Sequence, residues 1–256
     1  YASIHFAAYK SVGESVENPQ KYYKNNIGST EVLLKCLEKN KFKNLIFSSS
    51  CTVYGMPNIL PVNEDAPFKK AESPYGETKQ ECEILISKNL CNSISLRYFN
   101  PIGSHESGLI GDCSSDKASN LVPIVAEVAF GIRKELIVNG NNYNTHDGTC
   151  VRDYIHVQDL ASAHVKALDY LLANNGKFVF NVGTGNGLSV LEIVKTFEKV
   201  NNLKVNYRIG SRRQGDIEKI YSDGRLIKRV LNWEARKTTE EALLSACNWQ
   251  KSKMNE

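Results

Sequence analysis

Residues 45–50 read LIFSSS, residues 73–79 read SPYGETK and residues 94–99 read ISLRYF. The first and third segments are short apolar runs of the kind found in inner β-strands. Pro74 suits the first position of a helix, where its missing N–H costs nothing, and this helix is predicted to run to about Leu90. Two strands separated by a helix of this length require a crossover connection, and hence a parallel sheet. The stretch therefore predicts an α/β fold.

The segments on either side extend the same alternation. Residues 4–7 predict the end of a buried strand, whereas residues 101–120 are rich in Gly, Ser and Asp and predict a long loop that leaves the sheet. Further helices are predicted over residues 27–37, 123–130, 157–172 and 189–200, and further strands over residues 178–182 and 204–208. We therefore expect a doubly wound parallel sheet from residues 1–103 with a return segment at about 150–183, and a smaller α/β region formed mainly by residues 104–256.

Composition and charge exclude several classes of function. The 32 basic and 28 acidic residues give a net charge of +4, and the basic residues are scattered, so nucleic-acid binding is not expected. No apolar run approaches the ~18 residues needed to span a bilayer, so no membrane association is expected. The chain opens at Tyr1 without Met and inside a predicted strand, so we expect its natural terminus, with any targeting signal, to lie upstream.

The cysteines indicate a reducing compartment. The chain contains seven, with no CxxC pair and no short Cys/His spacing: Cys36, Cys51, Cys82, Cys91, Cys113, Cys150 and Cys247. An odd and irregular set in a chain of this length is typical of reduced thiols, not of a disulfide framework or a zinc site. We expect a cytoplasmic protein without a metal ion.

Tyr75 and Lys79 are four residues apart on the predicted helix, so both side chains leave the same face. A nearby ammonium favours a phenolate, which would make the tyrosine a usable base. In a lysine-rich chain with twelve tyrosines such a pair is expected by chance, so the spacing alone carries no weight. The context adds weight, because Ser50 ends the preceding strand and ligands of open parallel sheets gather at the carboxyl ends of strands. A hydroxyl facing a Tyr/Lys pair is an arrangement for general acid–base catalysis.

Five segments together resemble the UDP-glucose 4-epimerases, which are extended short-chain dehydrogenases/reductases. They occur in the order and at the spacing of that family, and the likeness runs from residue 1 to about residue 250. The segments are HFAAYKSVGES at 5–15, SSSCTVYG at 48–55, SPYGETK at 73–79, RYFNP at 97–101 and VRDYIHV at 151–157.

The resemblance implies a Rossmann-like NAD-binding domain in residues 1–103 with the return segment, and a UDP-sugar-binding domain mainly in residues 104–256. It implies that NAD is the cofactor, that a UDP-sugar is the substrate, and that the protein is a homodimer. The implied reaction interconverts UDP-galactose and UDP-glucose by oxidation and reduction at C4′ of the sugar.

The same resemblance assigns roles to individual residues. Tyr75 would take the proton of the 4′-hydroxyl, Lys79 would lower the pKa of Tyr75 and bind the nicotinamide ribose, and Ser50 would hydrogen-bond the reacting hydroxyl or relay its proton. Cofactor-lining positions, besides Tyr75 and Lys79, are matched by Phe6, Ala7, Lys10, Asn25, Ser48 and Tyr98. UDP-sugar positions, besides Ser50 and Tyr75, are matched by Asn100, Asn120, Leu121, Arg152, Arg213 and Asp216. Two arginines suit a diphosphate, because each guanidinium offers two donors to phosphate oxygens.

The sequence departs from the family's pattern at its N-terminus, at Asn139 and at Ile220, and one further turn resembles a dinucleotide-binding loop without matching it. The glycine-rich phosphate loop and the acidic residue that reads the adenosine ribose belong to N-terminal strands, of roughly 75 residues, that this chain does not contain. Residues 183–187 read GTGNG after a strand, but the spacing is not GxGxxG, so we interpret this turn as structural. Asn139 stands where an aromatic residue is common near the uracil, and Ile220 stands at a position that bears on N-acetylated sugars, so both specificities stay open.

Other functions remain possible from the sequence. Ser50 could merely end a strand, and residues 212–216 could form a solvated loop. A nucleotide-sugar dehydratase or decarboxylase usually carries a carboxylate just after the relay hydroxyl, where this chain has Cys51 and Thr52. Epimerases of UDP-glucuronate or UDP-arabinose are also compatible with these residues, as is a non-catalytic sensor that kept the NAD-binding fold.

Overall fold

The computed structural model describes residues 2–113 and 118–255. Its helices are α1 (Val12–Glu17), α2 (Pro19–Tyr22), α3 (Gly28–Lys39), α4 (Pro74–Lys88), α5 (Leu121–Ala129), α6 (Val157–Ala173), α7 (Val190–Asn201), α8 (Arg225–Leu231) and α9 (Thr239–Met254), with a π-helical turn at Tyr23–Ile27 and a 3₁₀ turn at Cys51–Tyr54. Its strands are β1 (Ser3–His5), β2 (Asn44–Ser50), β3 (Asn92–Tyr98), β4 (Asn100–Ile102), β5 (Leu136–Asn139), β6 (Val151–His156), β7 (Lys177–Val182), β8 (Gly187–Ser189), β9 (Tyr207–Gly210) and β10 (Lys219–Ile220).

The main sheet is parallel and has the strand order β1-β2-β3-β7. Side chains alternate along β2, so that Leu45 and Phe47 pack with α3 and α4, while Ile46 packs with α6. Helices therefore cover both faces of the sheet, which confirms the expected α/β fold with a parallel sheet. In register, Ser48 pairs with Leu96 and Ser50 with Tyr98, which brings the carboxyl ends of β2 and β3 side by side.

Local signals in the sequence explain where the helices begin. Ser73 caps α4 by accepting a hydrogen bond from the Gly76 amide at 3.2 Å, with Pro74 in the first turn. At α7, Ser189 and Glu192 form the reciprocal bonds of a capping box. The predictions of these two helices are confirmed.

Two smaller sheets and a second core form the rest of the molecule. Strands β10, β6 and β4 are parallel neighbours, β8 pairs antiparallel with β6, and β5 pairs with β9. The second core packs α5, α7 and α9 together, with Val125, Phe197 and Leu243 fully buried. The division of the chain into two domains at residue 103 stays a prediction.

Three predicted segments differ from the structure. The strand predicted at residues 4–7 is shorter and only partly buried: it ends at the buried His5, whereas Ile4 is 41% exposed and Phe6 beyond it is 59% exposed, since β1 pairs only with β2 among the described residues. The loop predicted over residues 101–120 begins with β4, which pairs with β6. The strand predicted at 204–208 lies at Tyr207–Gly210, where it pairs with β5.

In residues 2–113 and 118–255, no helix has the length and apolar character required to cross a membrane. The same part of the chain contains no group of three or more His, Cys, Asp or Glu side chains able to hold a metal ion. All seven cysteines are free thiols.

Candidate active site

A cavity of about 1040 Å³ opens at the carboxyl ends of β2 and β3. It is lined by the strand ends, by α4, α5 and β6, and by the segment around Asp216. Parallel sheets bind ligands at this edge, so the position of the cavity is the one that the topology favours.

Tyr75 and Lys79 project from the first two turns of α4 into this cavity. Lys79 is 4% exposed, and its Nζ donates a hydrogen bond to the Ser48 carbonyl oxygen at 2.6 Å. The same Nζ lies 4.8 Å from the centroid of the Phe47 ring and 5.8 Å from that of Tyr75. The helix thus holds an ammonium and a phenol side by side over the end of β2.

Burial dominates the ionisation of both groups. It raises the pKa of Tyr75 to about 12, against a smaller lowering by the hydrogen bond with Ser50. It lowers the pKa of Lys79 to about 8, against smaller raising effects of Cys82 and Glu83. The net pKa of Tyr75 is thus set by burial, which outweighs the favourable interactions, and the expected lowering contribution of Lys79 stays a prediction.

Ser50 is the last residue of β2 and also caps the 3₁₀ turn that follows. Its Oγ accepts hydrogen bonds from the Thr52 amide at 3.2 Å and from Thr52 Oγ1 at 3.0 Å, and its interaction with Tyr75 acts to lower the pKa of that phenol. Because Thr52 fixes this hydroxyl, its orientation toward Tyr75 is set before any ligand binds.

The residues predicted to line the cofactor are brought together in part. Phe6, Lys10, Ser48 and Tyr98 line the cavity with Tyr75 and Lys79, whereas Ala7 and Asn25 lie outside its lining. The neighbouring Asn26 is 2% exposed, accepts a hydrogen bond from the Tyr9 amide and donates one to the Tyr9 carbonyl, so this missed residue fixes the loop that carries Phe6 and Lys10.

These side chains fit a nicotinamide nucleotide. Phe6 presents an exposed ring that is tilted against His164, with the ring centroids 4.9 Å apart, and the Tyr98 hydroxyl lies 2.5 Å from His164 Nε2. Lys79 has three donors, of which Ser48 O accepts one, and ammonium donors suit ribose and phosphate oxygens. The Lys10 Nζ lies 3.6 Å from Asp112 Oδ2, and both residues line the cavity.

The predicted UDP-sugar residues all line the same cavity. Asp216 holds the two arginines together, at 2.6 Å from Arg213 Nη2 and 4.0 Å from Arg152 Nη2. The Arg152 Nη1 also donates to the Val151 carbonyl at 2.9 Å, which fixes the guanidinium against β6. Two neighbouring guanidinium groups at one wall form a site suited to a diphosphate.

The remaining predicted UDP-sugar residues are Asn100, Asn120 and Leu121. Asn100 is the first residue of β4, Asn120 precedes α5 and Leu121 is its first residue. Asn139 and Ile220 also line the cavity, as their departures from the family's pattern suggested.

Sequence reasoning did not single out the role of Asp153, which is fully buried beside Arg152 on β6. Its carboxylate accepts hydrogen bonds from the amides and hydroxyls of Thr184 and Ser222 and from the Gly185 amide. The glycine-rich turn at 183–187 is therefore closed by a carboxylate, in keeping with its structural interpretation. A charged residue inside the apolar strand of VRDYIHV was the only signal of this role in the sequence.

Comparison with known proteins agrees with this geometry. The family model described as GDP-mannose 4,6 dehydratase matches residues 2–245. The chain is 48% identical over 259 residues to UDP-glucose 4-epimerase of Bacillus subtilis (strain 168), with 99% of this chain and 76% of that protein covered.

Solved structures give the same result. UDP-glucose 4-epimerase from Bifidobacterium longum, in complex with NAD+ and UDP, matches with a TM-score of 0.95 and 46% identity over 98% of this chain and 76% of that one. UDP-glucose-4-epimerase from Stenotrophomonas maltophila, with bound NAD and formylated UDP-arabinopyranose, matches with a TM-score of 0.95 and 43% identity over 99% and 77%.

Proposed function

The chain belongs to the UDP-glucose 4-epimerase family, and on this premise we propose that it interconverts UDP-galactose and UDP-glucose by NAD-dependent oxidation and reduction at C4′ of the sugar. The observation that carries the proposal is that one cavity is lined by Ser50, Tyr75 and Lys79 and also by Arg152 and Arg213. A sugar nucleotide bound across it would have its diphosphate at the arginines and its hexose at the tyrosine.

Tyr75 is the proposed acid and base. At neutral pH a pKa of about 12 keeps its phenol protonated, so it can return a proton to the C4′ oxygen in the reductive half of the reaction. In the oxidative half it must accept the proton of the 4′-hydroxyl, and the Lys79 ammonium 5.8 Å from its ring centroid favours the phenolate that this requires. Ser50, oriented by Thr52, hydrogen-bonds the phenol and the reacting hydroxyl.

NAD, when bound, supplies the hydride acceptor and donor for this chemistry. Phe6, Lys10, Ser48, Lys79 and Tyr98 are the residues that would hold its nicotinamide half. Ala7 and Asn25 stay proposals for cofactor binding on the basis of the resemblance alone.

The substrate side rests on charge and shape. Arg152 and Arg213 would each donate two hydrogen bonds to the diphosphate, and Asp216 keeps both guanidinium groups at one wall. Asn100, Asn120 and Leu121 are proposed to contact the sugar and the uridine.

Epimerisation is favoured over elimination of water by the residue after Ser50. A dehydratase needs a carboxylate there to exchange protons at neighbouring carbons, and this chain has the buried thiol of Cys51. Burial raises the pKa of Cys51 to about 12, so the thiol stays protonated at neutral pH and does not replace a carboxylate as a base. The position after Ser50 therefore provides no carboxylate for proton exchange at a neighbouring carbon.

A cytoplasmic location and a homodimer are further proposals. Seven free thiols support a reducing compartment. The homodimer rests on the resemblance, and light scattering of the purified protein measures it directly.

The test of the proposed function is a ¹H NMR assay of UDP-galactose with NAD and the purified protein. We expect UDP-glucose to accumulate to equilibrium, and Tyr75→Phe to stop the reaction. UDP-arabinose, UDP-glucuronate and UDP-N-acetylglucosamine serve as parallel substrates. Turnover of one of these with UDP-galactose inert would overturn the substrate assignment, and a shift of NAD spectra without turnover of any would favour the sensor.

A further inference from the structure

A buried carboxylate lies directly beneath the proposed catalytic pair. Glu83 is on α4, eight residues after Tyr75 and four after Lys79, so the three side chains share one face of the helix. It is 7% exposed and receives hydrogen bonds from Arg97, through Nε at 3.0 Å and Nη2 at 2.8 Å, and from the Ser49 hydroxyl.

These hydrogen bonds connect α4 to the two strands whose ends line the cavity. Ser49 lies between Ser48 and Ser50 on β2, and Arg97 precedes Tyr98 on β3. The distance from the helix face to the strand ends is thus set by a fork of charged hydrogen bonds, which tolerates less displacement than apolar contacts do.

The opposite side of Arg97 is fixed as well. Its Nη1 donates to the Tyr54 hydroxyl at 2.9 Å, and that hydroxyl donates to Asn181 Oδ1 on β7 at 2.6 Å. A buried ion pair of this kind gives little net stability compared with apolar residues of the same volume, so stability alone does not account for it. We propose that Glu83 is a positioning residue for the epimerase reaction: its carboxylate fixes the Tyr75/Lys79 face of α4 against the ends of β2 and β3 and places a negative charge next to the Lys79 ammonium.

The charges around Lys79 support the second half of the proposal. The titratable groups that face it are His5 on β1, Tyr75 at the start of α4, and Cys82 and Glu83 on α4. Burial lowers the pKa of Lys79 to about 8, and Cys82 and Glu83 act in the opposite direction. Removing the charge of Glu83 therefore lowers the pKa of Lys79 further, so that the ammonium is lost at a lower pH.

The inference rests on the proposed function, and Glu83→Gln tests it by the pH profile of kcat. We expect kcat to fall about 10- to 100-fold through misplacement of the catalytic pair, with KM for the UDP-sugar within about twofold of the wild type. The alkaline limb of the profile should move to lower pH by about half a unit to one unit. Glu83→Asp, which keeps the charge but shortens the side chain, should restore the limb while kcat stays low.

A second readout does not depend on turnover. Lysine Cε resonances in ¹³C-labelled protein are titrated, and the Lys79 signal is identified by its absence in Lys79→Met. The apparent pKa of Lys79 should be lower in Glu83→Gln than in the wild type. An unchanged Lys79 titration contradicts the inference even if the protein proves inactive, whereas inactivity of the wild type alone contradicts only the proposed function.

Asp159→Asn is the matched control. Asp159 is also a buried carboxylate, 7% exposed, but it accepts hydrogen bonds from the Arg236 and Lys237 amides and does not itself line the cavity. We expect a loss of stability without a shift of the alkaline limb. An equal shift in both variants, or a wild-type kcat in Glu83→Gln, would overturn the positioning role. If Glu83→Gln does not fold, a wild-type kcat in Glu83→Asp overturns it.

Discussion

Two strand ends of the main sheet look alike in sequence and differ in the structure. Strand β2 ends in Ser48–Ser50, and β7 is followed by the turn at 183–187, so each has small polar or glycine residues at its carboxyl end. At β2 the hydroxyl and the neighbouring ammonium face the large cavity. At β7 the turn amides are bonded to the carboxylate of Asp153. The comparison shows that a strand end becomes a ligand site when its donors are left for a ligand.

Access to solvent does not by itself distinguish the two ends. The turn at 183–187 borders a second cavity of about 1030 Å³, as large as the first. What differs is the partner: Asp153 accepts five hydrogen bonds from Thr184, Gly185 and Ser222 and so occupies the donors that a phosphate would need. We interpret the carboxyl end of β7 as purely structural and the carboxyl end of β2 as part of the active site.

The largest effect is expected at the β2 end. Tyr75→Phe removes the proton donor and acceptor and should lower kcat about 1000-fold, the range of general acid–base catalysis. Tyr221→Phe is the matched change beside the other cavity and should leave kcat within about twofold of the wild type. Steady-state kinetics of both variants compare the two ends directly, and equal losses would mean that the comparison is false.

Removal of the negative charge of Asp153 should have the largest effect on the stability of the fold. Asp153→Asn leaves buried donors at the turn without their acceptor, and we expect the free energy of unfolding to fall by about 3 kcal/mol. Asp223→Asn is the control: that carboxylate is also buried, but its ionic partner Arg225 is largely exposed and can be solvated, so the loss of stability should be smaller than in Asp153→Asn. Urea denaturation measures the free energy of unfolding of both variants. An Asp153→Asn variant as stable as the wild type would contradict the structural role of this carboxylate at the turn.

A smaller effect on binding is expected at the diphosphate wall. Arg213→Ala should raise KM for the UDP-sugar about tenfold with little change in kcat, through loss of charged hydrogen bonds. Arg208→Ala serves as the control: its side chain is similarly exposed and also ion-paired, to Glu135, but lies outside the cavity lining. If both variants raise KM alike, the wall does not bind the substrate.

The smallest effects come from removing one hydroxyl at each end. Ser50→Ala should lower kcat about tenfold with little change in stability, because the phenol and the substrate each lose one hydrogen bond. Thr184→Ala should cost about 1 kcal/mol of stability, because Asp153 loses the donor at 2.6 Å, with kcat unchanged. Steady-state kinetics and thermal unfolding of the two variants separate these outcomes. A loss of stability in Ser50→Ala together with a loss of kcat in Thr184→Ala would contradict our interpretation of the two strand ends.

Much of the fold could be predicted because its signals are local. Ser73 and Pro74 mark the start of α4, and the apolar run at 45–47 marks an inner strand, whatever the rest of the chain does. The four-residue spacing of Tyr75 and Lys79 likewise places both on one helix face without knowledge of the tertiary structure.

The parts that sequence reasoning missed depend on contacts between distant segments. Asp153 accepts hydrogen bonds from residues that are 31 and 69 positions away in the sequence, so no local pattern reveals its role. The raised pKa of Tyr75 results from burial, which depends on how the whole site packs around α4. The adjacent Asn25 and Asn26 are equivalent in sequence, and only the helical turn decides which one is buried against Tyr9.

The most direct test of the account is a crystal structure of the protein with NAD and a UDP-hexose. The account predicts the sugar 4′-oxygen within hydrogen-bond distance of Tyr75 and Ser50, with the diphosphate between Arg152 and Arg213. A nucleotide bound instead to the turn at 183–187, with the β2 end unoccupied, would contradict it.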